Sequence, residues 1–386
     1  MNETVHKALL PAGLEDVLPP AAEAEARTVA RLLDVVGAHG YERVKPPLIE
    51  FEDALLSGPG ATLAAQSFRL MDPVSRHMLA VRPDMTTQVA RIAGSRLARA
   101  PRPLRLCYSG QILRVAGTQM RPERQFTQAG AELIGPDCAE ADAEVAMLAA
   151  EALIDVGVQR LALDLNLPPL TGALAEALGF DAETCGALRR ALDRKDAAAV
   201  TELGGAHTDL FLGLLRAAGP AETALARLRA LDLPDAARRE IDRLDAVQAQ
   251  VRAALPDLNV TVDPVEHRGF EYQSGVSFTL YAAGVRGELG RGGRYTADGG
   301  ERAGEPATGF TLFLDSVMRA LPQAAGAARL YLPHGTGREK ARALREAGWV
   351  TVAALAPEAD PAAEARRLGC GHVWLDGTAV PAGDGS

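Results

Sequence analysis

Apolar residues Val29, Leu32, Leu33 and Val36 recur three and four positions apart, which predicts a helix over 21–40 with Gly40 as its C-terminal cap. The next stretch, YERVKPPLIEFEDAL, reads as a strand interrupted by Pro46 and Pro47, which confines it to a sheet margin or a bend. Two short runs, SFRLMD and HMLAV, joined around Pro73 and Ser75, predict a hairpin over 67–81. A helix over 84–97, a strand pair over 104–135 and an Ala-rich helix over 140–156 follow, then a strand at LALDLNL.

From about 171 to 254 the chain is almost wholly Ala, Leu, Arg and Glu at helical period, with no strand signal, and reads as a helical insertion. Strand patterning returns at 258–262 and continues through SGVSFTLYAAG and GVRGELGRGGRYT, and 309–321 is predicted as a final helix. Beyond it RLYLPHG, a helix over 338–347, VTVAALA, a helix over 361–368 and HVWLDG form a β-α-β-α-β pattern. The fold class expected is α+β: a mostly antiparallel sheet flanked by helices over 1–325, with the insertion at about 171–254 and a small C-terminal α/β subdomain over 328–380.

A length of 386 residues allows two or three domains at roughly 150 residues each. Apolar residues at 47% and charged residues at 24% are those of an ordinary globular protein. The net charge of -9 argues against a broad nucleic-acid footprint, since neutralising phosphates needs clustered basic surface. All but four of the 41 basic residues are Arg, which favours forked recognition of carboxylate or phosphate over lysine chemistry. Cys107, Cys138, Cys185 and Cys370 form no CxxC pair and read as reduced thiols of a cytoplasmic protein. The seven His residues carry no HExxH, so neither a metal nor a cofactor is expected. No apolar run reaches the roughly 18 residues that span a membrane, and no signal pattern opens the chain.

The segment LRLCYSGQILRVAGTQMRPERQFTQAGAELIG carries the most chemistry. With it stand a Pro-x-Gly-x-x-Asp-x-x-Pro opening at Pro11, GYERVKPPLIE, VRPDMTTQVAR, RGFEYQ from Arg268 and GGRY from Gly292. These ordered blocks resemble the histidyl-tRNA synthetase family, a class II aminoacyl-tRNA synthetase family. The resemblance implies an amino-acid pocket built from Asp84, Arg114, Gln128, Glu132, Arg268 and Tyr272, with Arg124 and Phe126 in step beside it. It also implies an α-phosphate contact at Arg114, a glutamate where Ala116 stands and a triphosphate-binding arginine where Ser316 stands. Asp84 replaces a family Glu, and Gln273 replaces a tyrosine that meets the imidazole.

Each residue also has a plainer role open to it. Glu132 lies four residues from Gln128 on one strand face, and fits an ordinary exposed carboxylate as well as a ligand contact. Asp84 fits a helix cap, Arg268 a surface ion pair with Glu266 or Glu271, Arg294 the support of its glycine turn, and Arg114 and Arg124 sheet packing or a subunit interface. Losing one preorganised contact costs about 3 kcal/mol in a transition state, so two losses and a C-terminal unit shorter than the family's anticodon-binding domain argue against aminoacylation and against tRNA.

The pattern is similar to the synthetase-like regulatory subunits of ATP phosphoribosyltransferase. That likeness implies a non-catalytic partner of the short catalytic subunit in the first step of histidine biosynthesis, in a hetero-oligomer such as an octamer. A homodimer through 40–50 and histidine as effector are implied with it. The alternatives are an active histidyl-tRNA synthetase-like amino-acid ligase, and an amino-acid sensor acting on another partner.

Overall fold

The computed structural model describes residues 9–56, 58–267, 272–297, 304–322 and 328–383, and divides into two compact units, Met1–Pro322 and Gln323–Ser386. In the first unit, α1 (Ala21–Ala38) buries Leu32 and Val36 of the predicted stripe. Gly40 follows it at φ +82°, a left-handed value that suits the residue past a helix end. The chain continues through β1 (Glu42–Arg43), β2 (Ile49–Phe51), a one-turn α2 (Glu52–Leu55), a 3-10 segment (Gly58–Gln66), and the antiparallel pair β3 (Arg69–Met71) and β4 (Met78–Val81). Then come α3 (Thr86–Gly94), the long hairpin β5 (Leu104–Leu113) and β6 (Gln125–Ile134), α4 (Ala139–Asp155) and β7 (Leu161–Asn166).

The Ala/Leu/Arg-rich stretch folds as α5 (Pro169–Ala177), α6 (Ala182–Asp193), α7 (Ala197–Leu203), α8 (Thr208–Ala217), a two-residue β8 (Gly219–Pro220), α9 (Ala221–Arg229) and α10 (Asp235–Ala254). Asp181 and Asp196 cap α6 and α7 by accepting from backbone N–H groups three residues on. The sequence offered no strand there, so β8 is a correction; it exists only through its antiparallel pairing with β9 (Asn259–Asp263). After β9 come β10 (Gln273–Ala282), β11 (Gly290–Ala297), β12 (Glu305–Phe313) and α11 (Leu314–Ala320).

Among the described residues of this unit, nine strands form one sheet in the order β1-β5-β6-β12-β11-β10-β7-β9-β8, and β2-β4-β3 form a small second sheet. The large sheet is antiparallel except where β1 meets β5 and β7 meets β9. Pro46 and Pro47 therefore divide the interrupted strand between two sheets, because neither proline has an N–H for a ladder. The helix predicted over 309–321 is half wrong. Residues up to Phe313 are β12, whose backbone pairs with β11 on one side and β6 on the other. Only Leu314–Ala320 is helical.

One face of the large sheet packs on α1 and the Ala-rich α4, where Ala143, Ala146, Ala149 and Ala152 are fully buried against sheet residues such as Leu163, Phe278 and Leu280. The opposite face meets α3 through Met85, Val89, Leu106, Tyr108 and Tyr295. The second unit is β13 (Arg329–Leu332), α12 (Arg338–Glu346), β14 (Val350–Ala353), α13 (Pro361–Arg367), β15 (His372–Leu375) and β16 (Thr378–Pro381), with sheet order β14-β13-β15-β16. The last strand was not anticipated. Asp376 and Gly377 both have positive φ (48° and 83°), which closes a two-residue hairpin of the Asp-Gly type.

Among the described residues no helix is long and apolar enough to cross a membrane, and no group of three or more His, Cys, Asp or Glu is placed to hold a metal ion.

Candidate functional site

Ser277, Gly293, Gly309, Glu132 and Leu106 are register partners across β10, β11, β12, β6 and β5, so all five face the same side of the sheet. The two glycines leave a trough in that face, and a cavity of about 870 Å³ lies over it. Its walls come from the start of α3 (Asp84, Thr86), the loop after β5 (Arg114, Ala116, Arg121) and the ends of β10 and β11 (Tyr272, Arg291).

Asp84 is oriented from two sides. Its Oδ1 accepts from the Thr86 amide at 2.8 Å and its Oδ2 from Gln128 Nε2 at 2.8 Å. Gln128 Oε1 in turn accepts from the Met85 amide at 3.1 Å, which fixes which end of the Gln128 side chain faces Asp84. Asp84 is not the N-cap of α3, a position held by Met85; it braces the turn before the helix through the Thr86 amide and lines the cavity.

Glu132 is not an exposed strand carboxylate; it is fully buried, as is Gln128, and neither contributes surface to the cavity. Tyr108 donates to its Oε1 at 3.2 Å and Tyr295 to its Oε2 at 2.9 Å. Burial pushes its pKa up to about 8, although the bond from Tyr295 works in the opposite direction. The carboxylate leans into the space above Gly309, where a Cβ would come within 1.8 Å of Oε2; no residue but glycine fits.

Arg114 lines the cavity, donates Nε–H to the Pro83 carbonyl at 3.2 Å and lies 5.3 Å over the Phe126 ring. Burial lowers its pKa from the ordinary arginine value, with the Asp84 charge opposing that shift. Tyr272 lines the cavity with its ring edge-on to Tyr295, 6.0 Å between centroids. Gln273 beside it is buried and donates Nε2–H to the Gly292 carbonyl at 3.2 Å, with no partner for Oε1 among the described residues. Arg268 lies outside the described residues. Of the six residues expected in the pocket, Asp84, Arg114 and Tyr272 line the cavity, while Gln128 and Glu132 form the layer behind it.

Ala116, two residues beyond Arg114, contributes to the wall, and Ser316 is buried, accepting from Arg121 at 3.2 Å and Arg319 at 3.0 Å. Arg124 donates to the carbonyls of Arg114 and Ala12, a packing role. Arg294 points to the opposite face, where it is buried against Asp142 at 2.8 Å and the Pro136 and Cys138 carbonyls; it supports the sheet. Sequence reasoning missed Arg121 and Arg291 as wall residues and Tyr108 and Tyr295 as partners of Glu132.

The histidyl-tRNA synthetase family profile matches residues 13–317. The chain is 57% identical to the ATP phosphoribosyltransferase regulatory subunit of Rhodospirillum centenum over 96% of its length and 95% of that protein. It is 57% identical to the protein of the same name from Paramagnetospirillum magneticum over 96% and 97%. Among solved structures, it is similar to an ATP phosphoribosyltransferase regulatory subunit/histidyl-tRNA synthetase from Bacillus halodurans, with TM-score 0.81, 25% identity and 94% and 97% of the two chains covered. A histidyl-tRNA synthetase from Nostoc matches with TM-score 0.81 at 16% identity over 95% and 91%, a likeness of fold alone. The chain belongs to the family of ATP phosphoribosyltransferase regulatory subunits, which share the histidyl-tRNA synthetase fold.

Proposed function

We propose that this chain has no catalytic site of its own, assembles with the short catalytic subunit of ATP phosphoribosyltransferase at the first step of histidine biosynthesis, and carries histidine feedback to it. The observation that carries the reading is what the site keeps beside what it lacks. Asp84 presents an oriented carboxylate suited to an ammonium group. Arg114, which makes no ion pair among the described residues, is suited to the ligand's carboxylate. Ala116 and Ser316 supply neither the acid nor the guanidinium that a synthetase resemblance would require for ATP. Glu132 and Gln128 act from behind, holding the floor and Asp84 in place, and Arg268 is the remaining expected contact.

The chain itself pairs as a homodimer in this reading. Leu48, Ile49, Phe51, Met71, Val74 and Met78 are all exposed on or beside the small sheet, with Met71 and Met78 opposite each other on β3 and β4. Such a patch is the kind that an isologous interface covers.

The test is phosphoribosyl transfer to ATP by the short catalytic subunit, with and without this protein, across a histidine titration. The expected result is activity and histidine sensitivity that both depend on this chain, with a coupling of about 1–3 kcal/mol. Unchanged activity and unchanged histidine response on adding it would overturn the proposal.

A further inference from the structure

Arg121 is a buried cation placed among aromatic rings. Its guanidinium carbon lies 3.8 Å from the centroid of Phe313 and 5.0 Å from that of Phe126, two rings that meet edge-on at 6.0 Å. The head group is tied on its far side. Nε donates to Asp315 at 3.1 Å, and Nη2 donates to the Glu288 carbonyl at 3.3 Å and to Ser316 Oγ at 3.2 Å. Its base is held as well, since the Arg121 amide donates to Thr118 Oγ1 and the Arg121 carbonyl accepts from the Thr118 amide.

Arg121 and Phe313 both line the cavity, as does Ala116. A guanidinium carbon 3.8 Å from the centroid covers that ring face, which is closed to any second planar group while the arginine stays there. Position 316 belongs to the same arrangement. Serine there is short enough to leave room for the guanidinium and accepts one of its hydrogens, whereas a long side chain would compete for that space.

We propose that Arg121 is a resident occupant of the aromatic slot beside Phe126 and Phe313, and that its presence excludes purine nucleosides from this part of the cavity. The inference rests on the proposed loss of the nucleotide half-site and gives it a physical cause: the slot is filled from within, in addition to lacking contacts at 116 and 316. Removing the arginine strands no carboxylate. Asp315 keeps Arg319 at 3.2 Å, and Glu288 keeps its short ion pair with Arg291.

The test is titration calorimetry of the full chain with adenosine, which is uncharged and so insensitive to the change in local charge. Wild type, R121A, R121S and R121A/F313L are compared, each checked for folding by thermal melting. Wild type is expected to show no saturable binding into the millimolar range. R121A and R121S are expected to bind at least about tenfold tighter, the order that one stacked base supplies, and F313L is expected to reverse the gain.

Adenosine binding by wild type as tight as by R121A, or no gain in a folded variant, would overturn the proposal. Failure of both R121A and R121S to fold would also overturn it, by assigning the side chain to core stability. Histidine titrated into the same samples separates the two readings. Loss of histidine binding in wild type counts against the proposed function, whereas histidine binding without an adenosine gain in R121A counts against the occupant alone.

Discussion

Glu132 allows a sharp test because it combines full burial with hydrogen bonds that favour the ionised form. Burial raises its pKa from 4.5 to about 8 in the folded chain, whereas in the unfolded chain it returns to the ordinary glutamate value. Between those two values the folded protein holds a proton that the unfolded protein has released. Stability is therefore greatest below about pH 4.5 as far as this group is concerned, and is lost as pH rises towards 8. At about 1.4 kcal/mol per pH unit the full loss is on the order of 5 kcal/mol, a large share of the 5–15 kcal/mol typical of a folded chain.

Substituting Gln for Glu132 keeps the shape and hydrogen-bonding capacity while removing the titration. Tyr108 can adapt to the amide, because its hydroxyl also lies 2.8 Å from Thr311 Oγ1 and 3.3 Å from Thr86 Oγ1. Urea unfolding of wild type and E132Q at intervals from pH 5 to pH 8.5 would measure the difference, with every other titrating group common to both. The stability of wild type relative to E132Q is expected to fall by about 1.4 kcal/mol per pH unit across the window and to level off above it. A difference that stays constant with pH would refute the reasoning and place Glu132 in a solvated or ion-paired state.

Three further outcomes are expected. Adding a single methyl in G309A should destabilise the fold by several kcal/mol, about 3 or more by the scale of overpacked cores, and lower the melting temperature, because its Cβ would meet Glu132 Oε2 at 1.8 Å. R294A should cost about 2–3 kcal/mol in urea unfolding, since the buried Asp142 would lose an ion pair at 2.8 Å but keep Arg243 at 2.9 Å; a change within about 0.5 kcal/mol would count against it. D84A should weaken histidine binding by about tenfold or more in calorimetry, the scale of a charge-assisted bond, and also lower the melting temperature, because the buried Gln128 amide loses its acceptor; equal affinity in the two proteins would remove Asp84 from the site.

Elements fixed by local pattern were readable before any coordinate. The stripe of α1, the paired runs of β5 and β6 and the alternating strands of the C-terminal unit each rest on periodicity within a dozen or so residues. Reading failed where a partner distant in sequence decided the outcome. Residues 309–313 carry an apolar run too short for periodicity to separate helix from strand, and it is the ladders to β6 and β11 that make them β12. Gly309 itself read as the first residue of that expected helix; its actual constraint is Glu132, on a strand far upstream.

The same division runs through the site. Asp84, Arg114 and Tyr272 could be placed because they sit in ordered blocks of a known pattern. Arg121 could not, because it stands in an irregular loop and its role is conferred by Asp315, 194 residues later, and by the ring beside that carboxylate. Composition had pointed towards guanidinium recognition of an anionic ligand, and at Arg121 that inference reaches its limit. A guanidinium already paired with Asp315 and covered by Phe313 supplies shape and bulk to the wall, whereas Arg114, bonded among the described residues to a single carbonyl, is the one to which the proposed reading gives a ligand's carboxylate. Counting arginines in a pocket therefore says little about anions until the partners of each one are known.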